Sequence, residues 1–368
     1  MSEAMASPPS RPRQLPLRGL GTLVILLGLI ALIAGATGLL GSVLLTRFVT
    51  TMFIDLVLVL GLQIFMGNSS ILWFPHIGFM GIGAYASVIF SMSAMQKSLT
   101  LPHLYGFLVD IHLPFLPALL AGALVTAAIA GVVSLPLMRL SDFPAVITGF
   151  ALLVIIHVVL THWNTVTNGP QTLFGVDNYT RLGHAAVWSA VFVVVAWLFK
   201  ESKVGLQLRA SRDDLLSAGS IGVNIVWVRW LALVLSAFTA GIGGGLFAHF
   251  ITSFTPKDFF LTETFVVLAM LVIGGPATVT GAVFGTVIVT IVYQTLRWVE
   301  NTINVEQIFS SNIAGLTDVC LAIALILMLI LRPAGLFERN EIDWPALRRW
   351  LSLPSARRKP AANGRRAA

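Results

Sequence analysis

The chain has 368 residues, of which 57% are hydrophobic and only 11% charged. An ordinary soluble domain carries about 25% charged residues, so the composition excludes a soluble globule and points to a polytopic membrane protein. One cysteine, Cys320, excludes an internal disulfide and any multi-cysteine metal site. The net charge of +7 arises mainly from the tails and one loop, which fits a topological bias rather than a nucleic-acid surface.

The first apolar run follows Arg11, Arg13 and Arg18 and reaches Leu45. Ala34-Gly35-Ala36 fits a small-x-small cleavage site, but the run is too long for a signal peptide and is read as an uncleaved helix. Spanning segments are expected near 20–45, 48–66, 75–95, 114–138, 143–162, 184–199, 228–250, 260–275, 279–297 and 313–331. Ten spans place both termini on one side. Of the 23 basic residues, 18 then fall on that side, and only Arg47, Lys97, Arg181, Lys257 and Arg297 on the other. The positive-inside rule makes the termini cytoplasmic. The expected organisation is a cytoplasmic tail over 1–18, a transmembrane domain over 19–335 and a basic cytoplasmic tail over 336–368.

Two stretches combine an apolar character with helix-disrupting residues. In "GNSSILWFPHIGFMGIGAY" (67–85), Gly67 to Ser70 is expected to break one helix and Pro75 to start the next. His76, Met80, Gly83 and Ser87 then share one helix face, suited to close packing or to a polar path. In "LAMLVIGGPATVTGAVFG" (268–285), Glu263 to Ile273 is about 16 Å of helix, roughly half a bilayer core. The break at Gly274-Gly275-Pro276 is expected within the membrane's depth, followed by a Gly281/Gly285 face. Paired interrupted segments point to a translocation path. The path candidates are His76, Met80, Gly81, Gly83, Tyr85, Gly274, Gly275 and Pro276.

Between two spans lies a polar loop over 200–228, with a short helix expected from Leu206 to Ala218 before Gly219 and Gly222. Charge alone makes it a solvated connector. His157 and His162 lack a third ligand. Asp55 and Asp318 are placed toward the outer ends of their segments, where helix-end electrostatics accounts for them better than a proton relay. No P-loop occurs and no nucleophile–base set is apparent.

Several segments together resemble the LivM-type permease subunits of branched-chain amino acid ABC transporters. They are "GLQIFMGNSSILWFPHIGFMGIGAY" (61–85), "LPLMRLSDFPAVITGFALL" (135–153), "HWNTVTNGPQTLFGV" (162–176), a long stretch from Val204 to Phe250, residues 268–285, and "LILMLILRPAGLFER" (325–339). GIGAY and LRASRDDLLSAGSIGVN are the more specific. The resemblance implies a permease that binds no cofactor and has no ATPase activity of its own, with ATP and Mg on partner subunits. It implies a LivH-type second permease, two cytoplasmic ATPase subunits and an extracytoplasmic solute-binding protein. It also turns the 200–228 loop into a coupling segment, with Leu206, Arg209, Arg212, Asp213, Asp214 and Gly222 as the residues that meet an ATPase. The chain departs from the family at Trp73 (often Ser), Pro75 (usually Gly), Val154 and His157 (often Glu and Arg), Val266 (often Glu) and Gly-Gly-Pro-Ala over 274–277 (Gly-Gly-Leu-Gly). These changes fall in or near the presumed path and bear on the solute, not on the class. The alternatives are an ion-coupled secondary transporter, against which the scarcity of mid-membrane carboxylates argues, and a membrane enzyme or scaffold.

Overall fold

The computed structural model describes residues 17–305, 315–332 and 335–337. The two expected tails, 1–18 and 336–368, lie almost wholly outside these residues. The described residues form helices, with no sheet and one isolated antiparallel bridge between Leu173 and Phe254.

Each expected apolar segment contains one helix. They are α1 (Leu17–Leu40), α2 (Val43–Leu62), α3 (His76–Ser91), α6 (Phe115–Leu137), α7 (Asp142–His162), α9 (Leu182–Glu201), α12 (Ile225–Ile251), α13 (Leu261–Gly274), α14 (Val279–Val305) and α15 (Leu316–Leu331). Seven are long and apolar enough to cross a membrane: α1, α2 with its extension to Gly67, α6, α7, α9, α12 and α14. The other three have only 16, 14 and 16 residues. Helix length thus accounts for seven crossings rather than ten. Among the described residues, shorter helices connect these: α4 (Ala94–Thr100), α5 (Gly106–Val109), α8 (Asn164–Thr167), α10 (Lys203–Asp213) and α11 (Leu215–Ser220), with a 3-10 turn at Pro256–Phe259.

The first expected boundary moves. The chain turns at Gly41, whose φ is +61°, and Ser42 caps α2 by accepting from the Leu45 amide. Residues 43–45 therefore begin the second helix instead of ending the first. Hydropathy does not register this, because both helices are apolar there.

The core is a three-helix contact of α3, α6 and α12, built on small residues. A Cβ on Gly83 would lie 2.4 Å from the Gly241 Cα, and one on Gly244 would lie 2.0 Å from the Met80 carbonyl oxygen. A Cβ on Gly122 would meet the Ser87 backbone at 2.8 Å. Helix association in lipid depends on such close approach, because lipid tails are as apolar as leucine. Gly281 and Gly285 of α14 pack in the same way on α13, against the carbonyls of Gly275 and Met270. Buried hydroxyls are mostly satisfied within their own helices, as when Thr50, Thr126 and Thr286 donate to carbonyls four residues back.

Candidate functional site

The first break falls at the end of its expected range, Gly67 to Ser70. Helix α2 runs on through a π turn, Gln63–Gly67, and Asn68 and Ser69 remain helical. The Asn68 side-chain amide donates to the carbonyls of Gln63 and Ile64 within the widened turn. The chain leaves the helix at Ser70, in a left-handed conformation with φ +61°. Residues 71–74 belong to no helix or strand, and Pro75 caps α3 without a side-chain hydrogen bond.

The start of α3 lies well inside the bundle. His76 is 1% exposed, and its Nε2–H donates to the Leu58 carbonyl oxygen at 2.9 Å. Its Nδ1 therefore accepts from the Ser236 hydroxyl, at 3.2 Å. Leu58 is nine residues from Gly67 and Ser236 eleven from Ile225, so His76 sits about 14–17 Å in from that end of the bundle. The six residues 70–75 have a maximum reach of about 20 Å, enough to cover that distance. At its far end α3 reaches Ser91, whose hydroxyl meets His249 near the end of α12 at 2.7 Å.

The remaining path candidates on α3 are buried. Met80 is 1% exposed, and Gly81 packs against Leu160 and Phe259. Gly83 faces Gly241. Tyr85 is enclosed edge-on by Phe254 and Phe259, and its hydroxyl finds no partner among the described residues. Of the departures from the family pattern, Trp73 is buried edge-on to Phe65, and His157 stacks on Phe260 with ring centres 4.0 Å apart. Phe74 packs on Phe150 and Phe265, which holds the connecting stretch between α7 and α13.

The second break is brought to the first. A Cβ on Gly67 would lie 2.2 Å from the Pro276 carbonyl oxygen, so the two interrupted segments touch backbone to backbone. Gly275 has φ +117°, open to glycine but not to other residues. The chain after α15 closes over this corner, where the amides of Leu336 and Phe337 donate to the carbonyls of Ile273 and Gly274. The Gly-Gly-Pro break is therefore level with the end of α2, not with its middle. The shortness of α13 falls at its start, where Glu263 lies close enough to interact with Asp55. Asp55 is halfway along the continuous helix from Val43 to Gly67 and is 8% exposed, so the expected outer-end position is corrected.

The coupling segment forms two helices instead of one. Asp214 interrupts the expected helix because its carboxylate caps α11, accepting from the amides of Leu216 and Ser217 and from the Ser217 hydroxyl. These bonds, the Ser217 hydroxyl first, hold the Asp214 carboxyl below its usual pKa. The charged residues Arg209, Arg212, Asp213 and Asp214 do not share one face. Arg209 donates to the Lys200 carbonyl at 2.7 Å, and Arg212 donates to the Gly67 carbonyl at 2.9 Å. Asp213, Asp214 and Gly222 are exposed, as are Leu206, Leu216 and Ile221. The exposed surface of the segment mixes apolar residues and carboxylates with Lys203, Gln207, Ser217 and Ser220, while both arginines bind their own chain.

A half-open cavity of about 220 Å³ lies between α13, α14 and α15, lined by Ile273, Val292, Cys320 and Met328 among other apolar residues. It is apart from the α3 candidates. Among the described residues no group of His, Cys, Asp and Glu could hold a metal ion. Sequence reasoning missed Gln63. It is fully buried at the π turn, and both its amide atoms lack partners among the described residues. A helix that widens for one turn leaves no trace in hydropathy.

Residues 44–331 match the family described as branched-chain amino acid transport system / permease component. The chain is 26% identical to the high-affinity branched-chain amino acid transport system permease protein LivM of Salmonella typhimurium, over 79% of this chain and 69% of the relative. It is 27% identical to the Escherichia coli LivM protein over the same shares. It is also 28% identical to a nucleoside ABC transporter permease protein of Lactococcus lactis, over 54% of this chain and 64% of that one. No solved structure matches. The chain belongs to the branched-chain amino acid transport permease family, as a multi-pass inner-membrane permease subunit of an ABC transporter.

Proposed function

We propose that this permease subunit imports a branched-chain amino acid or a related small polar solute by alternating access. The observation that carries the reading is the exposed pair α10–α11 between two span-length helices, α9 and α12, in a chain of this family. In this reading the pair docks on a cytoplasmic ATPase subunit, using Leu206, Asp213, Asp214 and Gly222, with Arg209 and Arg212 bracing it from behind. ATP and Mg are bound by two such partners, while this chain binds no cofactor and catalyses no reaction. A LivH-type permease completes the membrane domain, and an extracytoplasmic binding protein delivers the solute. Binding protein and nucleotide supply the difference in affinity between the two states that alternating access requires.

Topology follows the same reading. Ten helices enter the membrane, three of them as short or broken segments, and both termini are cytoplasmic, with tails over 1–18 and 336–368 around the permease domain. The path runs along His76, Met80, Gly81, Gly83 and Tyr85 and past Gly274, Gly275 and Pro276. The names of the relatives, which cover branched-chain amino acids and nucleosides, support a small polar solute without choosing among them.

The test is sidedness with co-purification. In a Cys320→Ala background, a cysteine at the exposed Ser220 should react with an impermeant thiol reagent only from the cytoplasm. Tagged chain should retain an ATPase subunit, and Leu216→Asp should release it. Labelling of residue 220 from outside, or full retention by Leu216→Asp, would refute the docking assignment. An ion-coupled carrier is the second reading, favoured by the buried Asp55 with Glu263 beside it.

A further inference from the structure

The meeting of the two breaks has chemistry that packing alone leaves unexplained. Gly67 and Pro276 approach too closely for any side chain to stand between them. Directly behind this contact lies the Gln63 amide, whose Nε2 is 3.2 Å from the place of a Gly67 Cβ. Gln63 is 0% exposed, and neither its oxygen nor its nitrogen has a partner among the described residues. The Asn68 Oδ1, one residue beyond Gly67, is likewise buried and has no partner among the described residues. Buried polar atoms without partners are rare and costly. Here they cluster at a π turn, a helix defect common at functional sites. One guanidinium holds the corner from outside: Arg212, on α10, donates to the Gly67 carbonyl.

We propose that Gly67 and Pro276 form the inner gate of the path, seen closed, and that Arg212 is the positioning residue linking the coupling segment to it. In the closed state the Gln63 amide and the Asn68 oxygen lack partners. Opening brings water or the polar solute to them, which offsets the loss of the backbone contact. Movement of α10 acts on the gate through a single charge-assisted bond to a helix-terminal carbonyl, while Gly275 and the amides of Leu336 and Phe337 hold the opposite side. The inference rests on reading α10–α11 as the ATPase-facing segment.

The test uses the assembled transporter in inside-out vesicles without nucleotide. The background is Cys320→Ala with Met66→Cys as reporter, since Met66 lies in the π turn and is 8% exposed. The labelling rate by an impermeant maleimide reads the gate. Arg212→Gln should raise the rate by about tenfold or more, the size expected for losing one hydrogen bond to a charged group. Arg212→Lys should restore much of the protection. Gly67→Ala should raise the rate with Arg212 intact, because its Cβ cannot fit against Pro276. Equal rates in the parent and Arg212→Gln would overturn the proposal. So would a raised rate with a lowered melting temperature and no recovery in Arg212→Lys, which marks a loosened fold. A parent complex that lacks an ATPase would instead refute the function reading, since labelling reads the gate without uptake.

Discussion

Gly83→Ala separates close packing from an open path at the centre of the bundle. The added Cβ would lie 2.4 Å from the Gly241 Cα, 2.6 Å from its carbonyl oxygen and 2.9 Å from its carbonyl carbon. All three atoms are backbone, so no side chain can turn away. Restoring ordinary contact requires α3 and α12 to separate by about 1 Å, which strains the α6 contacts as well, since overpacking of this kind typically costs about 1–3 kcal/mol. Alanine also favours a helix over glycine by about 1 kcal/mol, which masks part of the cost. Gly131→Ala is the control: it lies in α6, and its nearest neighbours are the Trp230 and Val234 side chains at 3.5 Å. The propensity gain is common to both variants and cancels in their difference. Gly83→Ala should therefore be about 1–3 kcal/mol less stable than Gly131→Ala, read by thermal or denaturant unfolding of the purified complex. Equal stabilities would refute the packing argument, and altered solute preference at equal stability would place Gly83 on the path.

Lys97 is fully buried, and its ammonium donates to the carbonyls of Leu108, Val109 and Ile111. Lys97→Met should cost about 1.5–3 kcal/mol locally, seen as faster proteolysis within 102–113 while the bundle melts nearly as before. Asp214 gives a pH dependence at the coupling segment. Its folded pKa is depressed, so its contribution to the α11 cap is present above the ordinary carboxylate range and is lost as pH falls through the folded value. The protection of the Leu215–Ser220 amides, measured against their intrinsic exchange rates at each pH, should fall in acid, and Asp214→Asn should flatten that dependence while keeping the cap; an unchanged acid loss of protection in Asp214→Asn would contradict it.

The apolar segments were legible in the sequence because long runs of leucine, valine and isoleucine need no partner to be recognised as helices. Their ends were less so. Gly41, Ser70 and Asp214 each set a boundary through a backbone conformation or a cap that hydropathy does not weigh. Gly83 was singled out from the sequence, but its pairing with Gly241 depends on which helices become neighbours. The same holds for Arg212. Its charge marked it as a surface residue, yet 145 residues separate it from the carbonyl it binds. Gln63 carried no signal, since a lone glutamine in an apolar run stands out only once its surroundings are known to offer no partner.

The most direct test of the account is uptake by the chain reconstituted with its co-purified partners and loaded with ATP inside the vesicles. A panel of branched-chain amino acids, other small polar solutes and nucleosides should show accumulation of one class that requires ATP and the binding protein and persists when ionophores collapse the ion gradients. Uptake that proceeds without ATP and stops when a proton or sodium gradient is removed would contradict it, and would move the function to the buried Asp55 and Glu263.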